Sequence, residues 1–262
     1  MNQWIILFNK EMKEAIRNFK WIWIPLVFIL LGIIQPVTSY FLPDILKNFG
    51  GFPEGSMLEF PLPTGPQVLA ETIGQFGQIG VLVIVLAFMG IVAGERNSGT
   101  NIMVLVKPVS YVAYIVSKWL HMSLLAISSF SIGFLLASYY TFQLIESVPI
   151  SYVIKGAVVY SIWLLFVTTL VLFFSVLFKS NAGVAALTLG ITIIISLMSS
   201  ITPDLLRWSP GMIASHSHSI FQSGEAGEYF WLSISCTIVL IILMIILSII
   251  NFKNKETVTH TT

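Results

Sequence analysis

Charged residues are scarce in this sequence. Lys, Arg, Asp and Glu make up 10% of the 262 residues, and hydrophobic residues make up 56%. Ordinary soluble domains have about 25% charged residues, because a water-exposed surface needs them. The net charge of +1 is too small to indicate a partner. The composition excludes a soluble enzyme and predicts an all-α membrane protein.

Several chemical signatures are also missing. Cys236 is the single cysteine, which excludes a disulfide framework and a cysteine-rich metal site. The sequence has no G-x-x-x-x-G-K-[ST] phosphate loop and no G-x-S-x-G or H-E-x-x-H motif. No Asp or Glu lies at the centre of an apolar stretch, where ion-coupled carriers and intramembrane proteases place ionisable groups. We therefore expect no catalytic residues, no metal and no cofactor on this chain.

Six apolar stretches are long enough to cross a hydrocarbon layer of about 30 Å as helices. They form a predicted transmembrane domain over 21–251, with spans at 21–42, 73–94, 113–140, 154–178, 183–201 and 230–251. The segments between and after them include a loop at 95–112, longer loops at 43–72 and 202–229, and a tail at 252–262. The sequence therefore predicts a six-helix bundle.

The basic residues predict the orientation of this bundle. One side holds ten of the Lys and Arg residues, and the other holds only Lys47, Lys155 and Arg207. Since basic residues accumulate on the cytoplasmic side, both termini and segment 95–112 are expected in the cytoplasm. The loops 43–72 and 202–229 are then expected outside.

Residues 1–20 form a predicted amphipathic helix. A spacing of three or four residues separates Trp4, Phe8, Met12, Ala15 or Ile16, and Phe19, and the opposite side carries basic residues and Glu14. This pattern is typical of a helix that lies in the headgroup layer. An ordinary solvated extension before the first span is the alternative.

The segment that joins the second and third spans has an unusual pattern. Glu95 and Arg96 stand at the predicted membrane boundary, and Gly99-Thr100 precedes an apolar run over 102–106. Thr100 is a suitable N-cap residue, and Pro108 prevents the helix from continuing. A short apolar helix at the cytoplasmic face is not required by lipid, so we expect a soluble partner to contact it.

This pattern resembles the signature of type-2 ABC transporter permeases, in particular their short bacterial six-helix branch. That signature has the form E-x-x-x-G-T, an aliphatic stretch, P-V-S-R and a Lys near the start of the next helix. The matching residues here are Glu95, Gly99, Thr100, Leu105, Pro108, Val109, Ser110 and Lys118. Tyr111 departs from the pattern, because the family usually has Arg there.

The resemblance implies a function and a set of partners. The chain would be the membrane-spanning subunit of an ATP-driven exporter in a bacterial plasma membrane, and it would pair with a second permease of the same or a related sequence. ATP and Mg would bind to a separate cytoplasmic ATPase, and no nucleic acid is expected. The segment from Glu95 and Arg96 to Lys118 would couple the two subunits, and Glu95 would pair with a basic group of the ATPase or of the N-terminal helix.

Other interpretations stay open. The chain could be a six-span membrane enzyme, a scaffold without transport activity, or an ion-coupled carrier. Lys118 could be a lysine that only extends its ammonium group to the membrane surface. His216 and His218 could bind a metal, although residues two apart point in different directions on a helix, and the pair lacks a third ligand.

Overall fold

The computed structural model describes residues 3–49, 63–99 and 109–259, and this part of the chain is helical without any strand. Its helices are, in chain order, α1 (Gln3–Arg17), α2 (Lys20–Phe49), α3 (Gly65–Gln75), α4 (Val81–Phe88), α5 (Ala93–Asn97), α6 (Tyr111–Leu144), α7 (Ile150–Leu177), α8 (Asn181–Ile201), α9 (Met212–Ser223) and α10 (Phe230–Thr259). A five-residue π-helical segment, Phe76–Gly80, joins α3 to α4.

Six membrane spans are present in the described residues. By length and apolarity they are Lys20–Ile45, Gly65–Asn97, Tyr111–Leu144, Ile150–Leu177, Asn181–Ile201 and Phe230–Lys255. The predicted fold class, an all-α membrane protein with six spans, is confirmed. Because six is an even number, α1 and the last turns of α10 lie on the same side of the bundle.

The helices extend beyond the apolar stretches that predicted them. The second span begins at Gly65 rather than at 73, because the Gln67 side chain accepts a hydrogen bond of 2.9 Å from the Thr64 N–H and so starts the helix early. The third span runs from Tyr111 to Leu144 instead of 113–140. Helix α2, which forms the first span, continues to Phe49 instead of ending at 42. The predicted loop 43–72 is therefore shorter on both sides, and its residues 50–62 lie outside the described part.

Two other segments differ from the prediction. The loop 202–229 contains one helix, α9, preceded by turns. The predicted tail 252–262 continues α10 as far as Thr259, because the backbone hydrogen bonds of a helix do not stop where hydropathy falls.

A close crossing of the first and third spans organises the bundle. A Cβ atom on Gly32 would lie 2.2 Å from the Gly133 carbonyl oxygen, and one on Gly133 would lie 2.4 Å from that of Phe28. Only glycine permits this approach. Beside the crossing, the rings of Phe28, Phe76 and Phe130 form an aromatic cluster with centroid separations of 5.2 and 5.6 Å.

The two ends of the bundle differ in what they contain. The terminal end is defined here as the end with α1, α5 and the last turns of α10. Hydrogen bonds join α1 to the start of α6, where the Ser110 N–H donates to Gln3 Oε1 at 3.1 Å, and α10 to the end of α7, where Lys255 Nζ donates to the Leu177 carbonyl at 2.6 Å. The far end, opposite to it, contains α9 and the connection between α6 and α7.

Helix α1 is separated from the first span by a sharp bend. Phe19 has a φ of 56°, which is uncommon for a residue with a side chain. The bend lets Leu7, Glu11 and Ala15 of α1 face the bundle, while Trp4 and Ile16 stay exposed. The helix is amphipathic as predicted, but its inward face includes an acidic residue.

Candidate functional site

A hydrogen-bonded break in the second span positions the candidate site at the terminal end. Between α4 and α5 the helix is interrupted, and the Ser175 hydroxyl of α7 accepts hydrogen bonds from the backbone N–H groups of Val92 and Ala93, each at 3.0 Å. The same hydroxyl donates to the Met89 carbonyl at 3.1 Å. These bonds replace the helical ones lost at the break and fix the direction of α5, which carries Glu95.

Four charged residues from three helices form an ion cluster at this end, consisting of Lys10 and Glu11 of α1, Glu95 of α5 and Lys118 of α6. Lys118 Nζ lies 2.9 Å from Glu11 Oε1 and 2.9 Å from Glu95 Oε1. Lys10 also donates a hydrogen bond to Glu95 Oε1 and lies 3.2 Å from Glu11 Oε1. The Tyr114 hydroxyl donates to the second carboxylate oxygen of Glu95.

Three of the four side chains of the ion cluster are buried. The side chain of Lys118 is 0% exposed, and those of Glu11 and Glu95 are 4% and 10% exposed. Removing one partner of a buried ion pair costs about 3–5 kcal/mol, because the other charge is left without compensation. The cluster therefore requires α1, α5 and α6 to stay together.

Lys10 is the most accessible member of the cluster. Burial and the Lys118 ammonium group disfavour its charge, but the carboxylates of Glu11 and Glu95 outweigh both and raise the pKa of Lys10 above its usual value. Its folded-state stabilisation is therefore complete at neutral pH and is lost only as the pH rises through this raised pKa. Lys10 therefore keeps its charge over the physiological range.

A cavity of about 400 Å³ adjoins the ion cluster, and its walls include Lys20, Gly94, Ser98 and Asn181. Carboxylate oxygens of Glu11, Glu14 and Glu95 lie within 4.8 Å of one another, a spacing that could hold a metal ion. However, the Lys10 and Lys118 ammonium groups already lie among these oxygens. A metal would displace Lys118 and leave its charge buried and unpaired, so the arrangement fits a structural connection better than a metal site.

Comparison with known proteins places the chain in a family. A family model described as "Protein of unknown function (DUF2705)" matches residues 59–258. The chain belongs to this family. It is also 34% identical over 256 residues to the uncharacterized transmembrane protein YxlG of Bacillus subtilis (strain 168), and the match covers 98% of this chain and 99% of the relative.

The DUF2705 match begins after α1 and the first span, so it includes Glu95 and Lys118 but not Lys10 or Glu11. The relative, in contrast, spans nearly the whole chain and is named as a transmembrane protein. Together with the six apolar helices, this similarity shows that the chain is a multi-pass membrane protein.

The structure brings some of the predicted site residues of this DUF2705 member together and separates others. Glu95 and Lys118 meet in the ion cluster, so Lys118 does not extend to the membrane surface. Arg96 donates a hydrogen bond of 2.9 Å to the Val176 carbonyl. Gly99 forms a turn with a φ of 72°, and Val109 and Ser110 precede α6.

Three other predicted residues, Thr100, Leu105 and Pro108, lie outside the described residues. The predicted apolar helix over 102–106 lies outside them as well. Tyr111, which departs from the permease pattern, begins α6 and contacts the Phe252 ring edge-on, with 6.0 Å between the ring centroids.

Sequence reasoning missed Glu11 and Tyr114. Leu7, Glu11 and Ala15 are spaced four residues apart, so they share one face of the helix. This spacing could have indicated that Glu11 faces the bundle. Tyr114 likewise precedes Lys118 by one helical turn. The expected pairing of Glu95 with a basic group of the N-terminal helix is present, through Lys10.

Proposed function

We propose that this chain is the membrane-spanning subunit of an ATP-driven exporter in a bacterial plasma membrane, and that a separate cytoplasmic ATPase powers it. Both termini and the ion cluster then face the cytoplasm. The similarity to a Bacillus subtilis transmembrane protein supports the bacterial membrane. The pattern from Glu95 to Lys118, which resembles that of type-2 ABC permeases, supports the assignment to this transporter class.

The ion cluster is the observation that supports coupling most strongly. Glu95 lies at the start of segment 95–112, Lys118 lies on the third span, and Glu11 lies on the helix that leads into the first span. Because these charges are buried together, a force on segment 95–112 moves α1 and α6 with it. An ATPase that binds the segment and moves it would thereby shift the first and third spans together.

In this proposal, ATP hydrolysis by the partner ATPase supplies the energy for the movement. The sequence has no phosphate loop, so ATP and Mg bind to the ATPase chain. A second permease, either a copy of this chain or a paralogue, completes the transport pathway in the proposed assembly.

The test of this proposal asks whether a Walker-motif ATPase copurifies with this chain, and then measures ATP turnover by the complex reconstituted in lipid vesicles. Glu95→Ala removes the acceptor of Lys10, Lys118 and Tyr114, and Gly99→Pro cannot adopt the φ of 72°. We expect either change to lower coupled turnover at least about tenfold, the range of a typical coupling energy. Membrane insertion stays unchanged, and Glu225→Ala, an exposed acid at the far end, serves as the control.

Two results would reject the proposal. Unchanged turnover in both variants would show that the segment does not couple, and transport driven by a proton or sodium gradient without ATP would indicate a secondary carrier. Orientation is tested separately with Ser110→Cys in a Cys236→Ser background and a membrane-impermeant maleimide. Labelling from the cytoplasmic side only is expected, and labelling from outside would invert the topology.

A further inference from the structure

A polar strip lies on the first two spans, near the far end and away from the ion cluster. Gln35 Nε2 of α2 donates a hydrogen bond of 2.6 Å to Glu71 Oε2 of α3, and it lies 3.5 Å from Ser39 Oγ. Gln75 Nε2, one turn after Glu71, donates to Gln35 Oε1. The strip therefore combines one carboxylate and two amides in a connected network.

This network has more acceptors than donors. Glu71 is exposed, and among the described side chains its single polar partner is the Gln35 amide. The Gln75 Oε1 atom is buried and accepts no hydrogen bond within the described part of the chain. A carboxylate on a membrane-facing surface is costly unless a cation or a hydrogen-bond donor compensates it. Glu71 and Gln75 therefore retain free acceptor oxygens that suit a cationic N–H donor.

The strip lies at the membrane depth where lipid headgroups meet the hydrocarbon layer. The second span has 33 residues and is about 50 Å long, so it exceeds a hydrocarbon layer of about 30 Å by about 10 Å on each side when centred. Glu71 lies six residues after Gly65, about 9 Å along the helix. Its carboxylate is therefore level with the boundary of the hydrocarbon layer, and Gln75 lies one turn deeper.

We propose that Glu71, Gln35 and Gln75 bind a primary ammonium group, and that phosphatidylethanolamine in the far leaflet supplies it. A primary ammonium has three N–H donors and a positive charge, which suit the carboxylate and the amide oxygen of this strip. A quaternary ammonium has the charge without any donor. The inference concerns lipid or amine binding by this chain alone and does not depend on the proposed ATPase.

The experiment compares lipid binding to the full chain in nanodiscs of phosphatidylcholine with increasing phosphatidylethanolamine, measured by native mass spectrometry and by thermal unfolding. We expect phosphatidylethanolamine to bind about tenfold more tightly than phosphatidylcholine, which corresponds to one charge-assisted hydrogen bond. Glu71→Gln should abolish this preference, and Gln75→Met should reduce it. Glu225→Gln, which removes an exposed acid elsewhere at the far end, should retain it.

A second measurement distinguishes the source of the ammonium group. Hexylamine and hexyltrimethylammonium are added to nanodiscs of phosphatidylcholine only. Stabilisation by hexylamine that requires Glu71, without a preference for phosphatidylethanolamine, would assign the site to a soluble amine and keep the ammonium chemistry. The inference is overturned if neither compound nor lipid shows selectivity for the primary ammonium, or if both folded variants at Glu71 and Gln75 bind like the unmodified chain.

Discussion

The terminal end and the far end of the bundle are held together by different interactions. At the terminal end, buried charges join α1, α5 and α6 through Lys118. At the far end, α9 packs closely on α7: a Cβ atom on Gly156 would lie 2.2 Å from the Phe221 ring, and the Ser217 hydroxyl donates to the Gly156 carbonyl at 3.1 Å. Charge pairs are specific and costly to separate, whereas close packing depends on shape. The two ends should therefore respond differently to substitution and to pH.

The largest effect is expected for Lys118→Met, which removes the buried one of the two cations that Glu11 and Glu95 share and leaves only Lys10 between them in the cluster. The free energy of unfolding should fall by about 3–5 kcal/mol, measured in detergent by thermal and denaturant unfolding. Adding Glu11→Gln and Glu95→Gln to this variant should restore part of the loss. Lys13→Met, at an exposed position of α1, is the control, and equal stability of the Lys118 and Lys13 variants would contradict the role of the cluster.

A smaller loss is expected at the far end from Gly156→Ala. The added methyl group would meet the Phe221 ring, so α9 must shift, at a cost of about 1–3 kcal/mol. Gly190→Ala is the matched control, because no atom lies within 4 Å of a Cβ at that helical position. The same unfolding assay applies. A Gly156 variant as stable as the Gly190 variant would show that the contact between α7 and α9 is not tight.

The far end should contribute to the pH dependence of stability. Burial lowers the pKa of His216 in α9, so its folded state binds fewer protons than the unfolded state. The stabilisation is present above the unfolded pKa of about 6.5 and is lost as the pH falls through the folded pKa, with a slope of at most about 1.4 kcal/mol per pH unit. Lys10, whose pKa is raised, gives no change in this range.

This dependence is measured as the unfolding midpoint between neutral and mildly acidic pH. His216→Gln should flatten the curve, although burial also lowers the pKa of His218 and leaves a residual slope. A curve that His216→Gln leaves unchanged would assign the dependence to other groups.

The smallest effect is expected for Asp204→Asn. Asp204 accepts a hydrogen bond of 2.9 Å from Arg207 at the far end, but both side chains are exposed and water screens the pair. The unfolding midpoint should not differ measurably from that of the unmodified chain. A clear loss would mean that exposed charges matter at the far end as buried ones do at the terminal end.

Much of this architecture could be predicted from the sequence, because six apolar runs leave few alternatives in a membrane. The ends of the spans could not, since hydropathy falls at Glu71 and Gln75 while the backbone hydrogen bonds of α3 continue. For the candidate site, the motif identified Glu95 and Lys118. The inward position of Glu11 depends on the bend at Phe19, which no local pattern in the sequence predicts.

The π-helical segment Phe76–Gly80 has a consequence for how the second span can change. Each residue of a helix advances the direction of the side chains by about 100°, and a π-helical turn accommodates one extra residue without breaking the helix. The phase between Glu71 and Phe88, the last residue of α4, therefore depends on one inserted residue. Deleting Gly77 would remove the extra residue and let the segment become regular helix with the two halves near their present phase, whereas deleting a residue on either side of the segment would rotate one half against the other by about 100°. Insertions and deletions in this span therefore alter the relation between the two membrane surfaces more than most substitutions do.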